Sequence, residues 1–287
     1  MFKRFFITKA DGKKELFSLK KLEESMAAAG IDPTSINKVA KSVKPKIKPG
    51  ISTTEIHKLA FEKLKSENKT HAAKYNLRKA IMALGPDGFP FEEYFAALLT
   101  YHGYKCTTNV VASGKCISHE VDIIAEKYKK NIHAIIESKF HSKPGMKTRS
   151  KDALYTYARF LDIRDYWRMK KKFGVKPAKG TLQCWLITNT KLTSDAITYC
   201  NCVGMKAIAW SYPSREEGLQ GLIQNKGLYP VTALVSLGTK ERKELLRKDI
   251  VLCKQLLKSR RVLERIGTKG SMIKKIMTEA KELCDQD

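Results

Sequence analysis

Three charged side chains interrupt two apolar runs in EVDIIAEKYKKNIHAIIESK, residues 120–139. Asp122 stands before Ile123, Ile124 and Ala125. Glu137 and Lys139 follow Ile132, Ala134, Ile135 and Ile136. Side chains two apart on a strand share a face, so Glu137 and Lys139 leave their strand on one side. Two carboxylates and an ammonium on one hairpin suit metal-assisted cleavage of a phosphodiester. Hard Mg2+ takes oxygen ligands and keeps several waters, which makes Asp122 and Glu137 the candidate metal ligands, with Mn2+ as the alternative ion. In that chemistry the cation polarises a phosphoryl oxygen and acidifies a water. Lys139 then orients the water or offsets charge in the transition state. A surface ion pair would space Glu137 and Lys139 in the same way, and an ExK triplet alone carries little information. The apolar strand and the preceding Asp-apolar-apolar-Ala carry more. Glu120 ranks below Asp122 on the same strand face. His119, His133 and His141 border the hairpin and read as strand-edge or phosphate-contacting residues, since histidine is an uncommon Mg2+ ligand.

The elements that must position these groups can be read around them. Tyr128 to Asn131 forms a polar turn between the two strands. Upstream, FEEYFAALLTYHGY spaces Phe91, Tyr94, Phe95, Leu98 and Leu99 as a helix that stops at Gly103. Glu92 and Glu93 lie in its first turn, where a carboxylate also favours the helix dipole. A strand over 104–111 follows. Downstream, 142–151 is polar and basic, and a helix runs over about 151–172. QCWLIT reads as a buried strand; a helix from Ser194, a strand from Lys206 and a short helix near 216–224 complete the segment. This alternation predicts a mixed sheet with helices on both sides.

The bulk numbers constrain the partner. The 287 residues hold 55 Lys and Arg against 29 Asp and Glu, a net charge of +26. The excess is spread: 19 against 8 in 1–84, 22 against 13 in 85–238, and 14 against 8 in 239–287. A polyanion is the expected partner, with nucleic acid first and an anionic membrane second. No run is long and apolar enough to span a membrane, and MFKRFFITKADGKK has no signal-peptide core, so a cytoplasmic location is expected. Seven cysteines without a CxxC read as reduced thiols.

In residues 1–84, Phe5 to Thr8 and Glu15 to Phe17 read as strands around an Asp11-Gly12 turn. Ser18 caps a helix that Gly30 ends, Pro33 opens a second, and Ser52 with Glu55 forms a capping box for a third. A fourth spans about 70–84. The stretches ITKADGKKELFSLKKLEESMAAAG, GISTTEIHKLAFEKL and HAAKYNLRKA resemble the ATP-cone, the nucleotide-sensing module of ribonucleotide reductases and their bacterial repressor. The resemblance implies ATP or dATP as effector and Ile7, Lys9, Glu15, Lys21 and Thr53 as nucleotide-binding residues. Ala10 stands where the family often has Arg.

Residues 85–238 resemble the Mrr-type restriction enzymes of the PD-(D/E)xK nucleases in three ordered blocks: FEEYFAALLTYHGY, then EVDIIAE with IIESKFH, then WLITNTKLTSDAITYCNCVGMKAIAW. The resemblance implies a restriction-endonuclease-like fold, Asp122, Glu137 and Lys139 as catalytic residues, and Glu92 reaching in from the first helix. Glu137 stands where many Mrr-type enzymes have Gln.

Residues 239–287 read as basic helices. Leu245, Ile250, Leu252, Leu256 and Leu257 have helical spacing, and RIGTKG partly resembles a helix-hairpin-helix loop that meets phosphate through backbone amides.

The expected protein is therefore α+β: a hairpin-plus-four-helix cone, a restriction-endonuclease-like domain and a basic helical extension. The expected activity is Mg2+-dependent DNA endonuclease, regulated by ATP or dATP and, by analogy, homo-oligomeric. A structure-specific nuclease such as a Holliday-junction resolvase and a nucleotide-responsive DNA-binding regulator with a disabled nuclease fold are the alternatives.

Overall fold

The computed structural model describes residues 5–9, 12–172 and 181–285. The chain forms two compact units, Met1–Ala83 with Tyr229–Asp287, and Leu84–Leu228. The first break falls between Ala83 and Leu84, just ahead of the Gly85-Pro86 turn. The second falls at Tyr229, ahead of the expected start of an extension at Thr239, and the C-terminal helices cluster with the N-terminal segment.

In the first unit, strands β1 (Phe6–Thr8) and β2 (Lys14–Leu16) pair antiparallel. Asp11, half of the expected turn, and Ala10 lie outside the described residues; Gly12 adopts φ 82°, a conformation open to glycine. Helix α1 (Leu19–Ala28) is capped by the Ser18 side chain, which accepts from the Lys21 N–H. Asp32 caps α2 (Pro33–Val43), with Pro33 in its first turn. The Ser52/Glu55 capping box opens α3 (Thr53–Glu67). The expected fourth helix is two, α4 (Lys69–Tyr75) and α5 (Leu77–Met82), parted at Asn76. Met26, Val39, Val43, Ala60, Leu64 and Ala72 fill one core among these helices.

The second unit opens with α6 (Phe89–Tyr101). Strands β3 (Lys105–Ser113), β4 (Ser118–Lys127) and β5 (Ile132–Lys139) form an antiparallel meander. Asn131 takes up the left-handed turn between β4 and β5 at φ 51°. After the two-residue β6 (Lys147–Thr148) comes α7 (Ser150–Lys172). Strand β7 (Thr181–Thr188) pairs parallel to β5. Two-residue β8 (Lys191–Leu192) pairs with β6. Helix α8 (Ser194–Cys202), strand β9 (Lys206–Ile208) and α9 (Leu219–Gln224) follow. The main sheet has the order β3-β4-β5-β7-β9, mixed as the alternation predicted. Ala153 and Phe160 of α7 and Ala196 and Cys200 of α8 pack with Cys184 and Leu186 on one face. Ile123, Ala125, Ala134, Ile136 and Ile187 are buried on the alternate positions, and α6 packs on β3 and β4.

Returning to the first unit, α10 (Thr239–Leu246), α11 (Cys253–Lys258), α12 (Arg261–Arg265) and α13 (Gly270–Cys284) end the chain. The apolar spacing over 245–257 suggested one helix. Asp249, at φ 55°, breaks it into α10 and α11. Helix α13 packs against α4, and the Thr70 hydroxyl donates to Glu282 at 3.0 Å. Buried Glu279 accepts from the Ser236 N–H at 2.8 Å and from Val235 N–H, tying α13 to the segment entering α10.

Candidate functional site

The pair Ile123–Ile136 fixes the register of β4 against β5, and Asp122 and Glu137 flank it. An antiparallel register places such flanking residues on one face of the sheet. The Asp122 Oδ2 accepts the Ser138 N–H at 2.6 Å, binding the two strands at this point. Glu137 is buried, with Lys139 Nζ 2.6 Å from its Oε1 and Arg159 Nη1, from α7, 2.6 Å from its Oε2. The Lys139 carbonyl accepts from Thr188 Oγ1 at 2.7 Å, which locks the end of β5 to β7.

The β3–β4 pairing runs from Lys105–Glu126 to Ser113–Ser118 and omits one pair, Asn109 with Asp122. Asn109 sits at φ 52°, in the left-handed region that L-residues seldom enter. The ladder is therefore interrupted beside Asp122, in keeping with the tendency of unusual backbone to gather at functional positions.

The two first-turn glutamates of α6 separate. Glu93 accepts from the Thr108 hydroxyl on β3. Glu92 lies in the field of Asp122 and Glu137. Burial, then repulsion from Asp122, Glu137 and Glu93, pushes the Glu92 carboxyl up to about 7. Burial and Glu137 likewise raise Asp122. For Lys139, burial opposes the ammonium, but the Glu137 hydrogen bond and the charges of Glu137, Asp122 and Asp152 outweigh it and raise the pKa. Glu92, Asp122, Glu137 and Lys139 are thus gathered into one partly buried anionic site. Glu120 is exposed on β4.

Oxygen donors of this kind suit a hard divalent cation, and two carboxylates are its usual protein share. The excess negative charge that raises Glu92 and Asp122 is what a cation would relieve. As the side chains stand, no group of three or more His, Cys, Asp and Glu among the described residues is arranged to hold a metal. Both Glu137 oxygens already meet cations, so a metal there would share the carboxylate with Lys139 and Arg159 through its remaining lone pairs.

Arg159 was not visible as a site residue. It stands twenty-two positions after Glu137 and enters only because α7 crosses that face of the sheet. A charged residue beside Phe160 in a core-facing helix was the available signal. The bordering histidines have structural partners: His119 with Asp162 at 2.8 Å, His133 with Glu126 at 2.9 Å, and His141 with Thr148 at 2.9 Å.

In the first unit, Ile7 pairs with Glu15 across β1 and β2. Lys9 and Lys21 both form ion pairs with the Glu15 carboxylate. Thr8 bridges to Ser52, next to Thr53 at the start of α3, and the Thr8 N–H donates to Ile51 O at 3.0 Å. Lys9, Glu15 and Lys21 therefore meet on the hairpin that carries Ile7, and Thr53 follows directly on the residue bridged to Thr8. An open cleft lies beside the hairpin, lined by Phe5, Phe6, Ile7, Thr8, Lys14, Pro49 and Gly50; of the five expected nucleotide-binding residues only Ile7 lines it.

Residues 5–81 match the ATP cone domain family, and residues 229–284 match the family described as AF1548-like, C-terminal. An uncharacterized protein of Archaeoglobus fulgidus is 36% identical over 189 residues, which span 66% of this chain and 98% of the relative. The chain belongs to the AF1548-like family. A crystal structure of AF1548, described as a protein of unknown function, shares 35% identity with a TM-score of 0.55, covering 69% of this chain and 98% of that one. Both matched segments of the AF1548-like chain lie in its first compact unit. Its N-terminal segment is an ATP-cone, which suggests nucleotide-responsive regulation. No helix among the described residues is long and apolar enough to cross a membrane.

Proposed function

We propose that this protein is a nucleotide-regulated, metal-dependent DNA endonuclease of the PD-(D/E)xK type. The observation that carries the reading is Asp122, Glu137 and Lys139 on one face of a mixed sheet at the end of β5, with Glu92 of α6 in the field of their charges. Hydrolysis needs a water oxygen to attack phosphorus, the opposite P–O bond to break, and the water's proton to be taken up. Lys139 supplies positive charge where phosphoryl oxygens gain negative charge. Glu92, with a carboxyl titrating near 7, is matched to accept the proton at neutral pH. Asp122 and Glu137 would hold Mg2+ or Mn2+, which supplies Lewis-acid charge at the phosphate. Arg159 holds Glu137 in place. The +26 charge supports a polyanionic substrate. The cone supports control by ATP or dATP, through access to DNA or through oligomeric state.

The test is cleavage of circular and four-way-junction DNA with Mg2+, by the parent, Asp122→Ala and Lys139→Ala, with and without ATP and dATP. Cleavage by the parent and its loss in both variants is the expected result. Activity surviving both substitutions would sink the assigned site. A junction preference would point to a structure-specific nuclease, and an inactive parent that binds DNA in a nucleotide-dependent way to a regulator.

A further inference from the structure

Beyond the catalytic cluster, the second unit carries a buried polar network around the end of β7. Thr148, Thr188, Asn189 and Thr190 are all essentially unexposed. Asn189 makes a reciprocal clamp on one residue: its Oδ1 accepts the His141 N–H at 2.8 Å, and its Nδ2 donates to the His141 carbonyl at 2.9 Å. Thr148 is held from the same run, its hydroxyl donating to Thr188 Oγ1 at 3.0 Å, while its carbonyl accepts the Thr193 N–H at 3.0 Å. Thr148 also meets His141 Nε2 at 2.9 Å and pairs with Leu192 through β6 and β8. His141 and Thr148 are the two feet of the loop 142–147. Both feet are therefore fixed by the residues that end β7, and Thr188 is bonded to the carbonyl of Lys139 itself.

Between these feet the loop is exposed throughout. It carries Lys143 and Lys147, with Arg149 and Lys151 just beyond, and no Asp or Glu occurs between Phe140 and Asp152. Pro144-Gly145 turns it, and Met146 is left exposed at 45%. A buried amide is an expensive way to hold a surface loop unless the loop must keep its place. Fixing the ends of a cationic loop reduces the ordering cost when an extended anion binds. Its distance from the chemistry is set by the chain: the loop begins three residues after Lys139.

We infer that loop 142–147, held by Asn189 and Thr148, grips the sugar-phosphate backbone of DNA beside the reacting phosphate. Lys143 and Lys147 meet phosphates, Arg149 extends the track, and Asn189 is a positioning residue that acts through His141. This inference rests on the nuclease reading for the identity of the anion, yet it concerns binding rather than cleavage.

The experiment separates the two. Binding of the full chain to a fluorescent DNA duplex is measured by anisotropy in EDTA over a salt series, and cleavage is measured separately in Mg2+. Each lysine-to-phosphate contact contributes about 0.9 to the slope of log affinity against log salt. Lys143→Ala with Lys147→Ala is expected to weaken binding at least tenfold and to lower that slope by about 1 to 2. Asn189→Ala is expected to weaken binding with a smaller loss of slope, because its charge is unchanged. Parent affinity and slope in the double lysine variant would overturn the inference, even if cleavage continued. So would a parent that binds no DNA. A parent that binds DNA through the loop but cuts none would remove the nuclease reading and leave the loop standing. The two lysines are surface residues, so the result does not depend on whether Asn189→Ala folds.

Discussion

Arg159 Nη1 lies 2.6 Å from Glu137 Oε2, while Lys139 holds the other oxygen of the same buried carboxylate. A buried charge left without a partner is costly, whereas a fully paired one is close to neutral against an apolar core. Arg159→Met removes one partner and leaves Lys139. Breaking a buried pair outright costs about 3–5 kcal/mol, so with Lys139 retained a loss of about 2 kcal/mol is expected. The urea unfolding midpoint reads it, and a midpoint equal to the parent's would show that Glu137 does not depend on Arg159.

Glu92 gives a pH signature. Its folded pKa of about 7 exceeds the ordinary value of 4.5. The folded chain therefore binds more protons than the unfolded chain between those values, and stability falls as pH rises through that window. With divalent cations chelated, Glu92→Gln is expected to flatten the dependence between pH 4.5 and 7. An unaltered profile would remove Glu92 from the anionic cluster. Gly88→Ala tests the same position sterically, because a Cβ there would stand 3.1 Å from Glu92 Oε1; on the proposed nuclease reading, a lower kcat with little change in KM is expected.

His57 predicts the opposite slope in the cone. Its ring stacks on Tyr75 at 4.5 Å, and burial, followed by the Lys79 charge, lowers its pKa from 6.5 to about 4. The unfolded chain binds more protons between pH 4 and 6.5, so stability declines as pH falls through that range. His57→Phe keeps the stacking and removes the titration. Thermal unfolding at pH 7 and pH 5 should then differ less than in the parent. An equal difference would place the acid sensitivity elsewhere.

Glu15 holds Lys9 and Lys21 together on the cone hairpin. If these ammoniums take the triphosphate, each contributes a charge-assisted contact of about 1.5–3 kcal/mol, so Lys21→Ala should raise the ATP Kd about tenfold or more. Titration calorimetry with ATP and dATP checks this. Unchanged affinity in both Lys9→Ala and Lys21→Ala would move the nucleotide away from the hairpin.

The sequence by itself determined the local structure. Ser18, Asp32-Pro33 and the Ser52/Glu55 box open their helices because capping is decided within four residues. The apolar runs around Asp122 and Glu137 marked the central hairpin, since strand periodicity is a local property. Only the tertiary structure could add Arg159 to Glu137, Asn189 to His141, and the left-handed Asn109 across from Asp122. The same holds for the return of α10 to α13 to the cone unit, and for the breaks at Asn76 and Asp249 that split helices with sound apolar spacing. These features come from packing between segments far apart in the chain. Packing energy of that kind overrides local propensity and leaves no periodic mark in either partner.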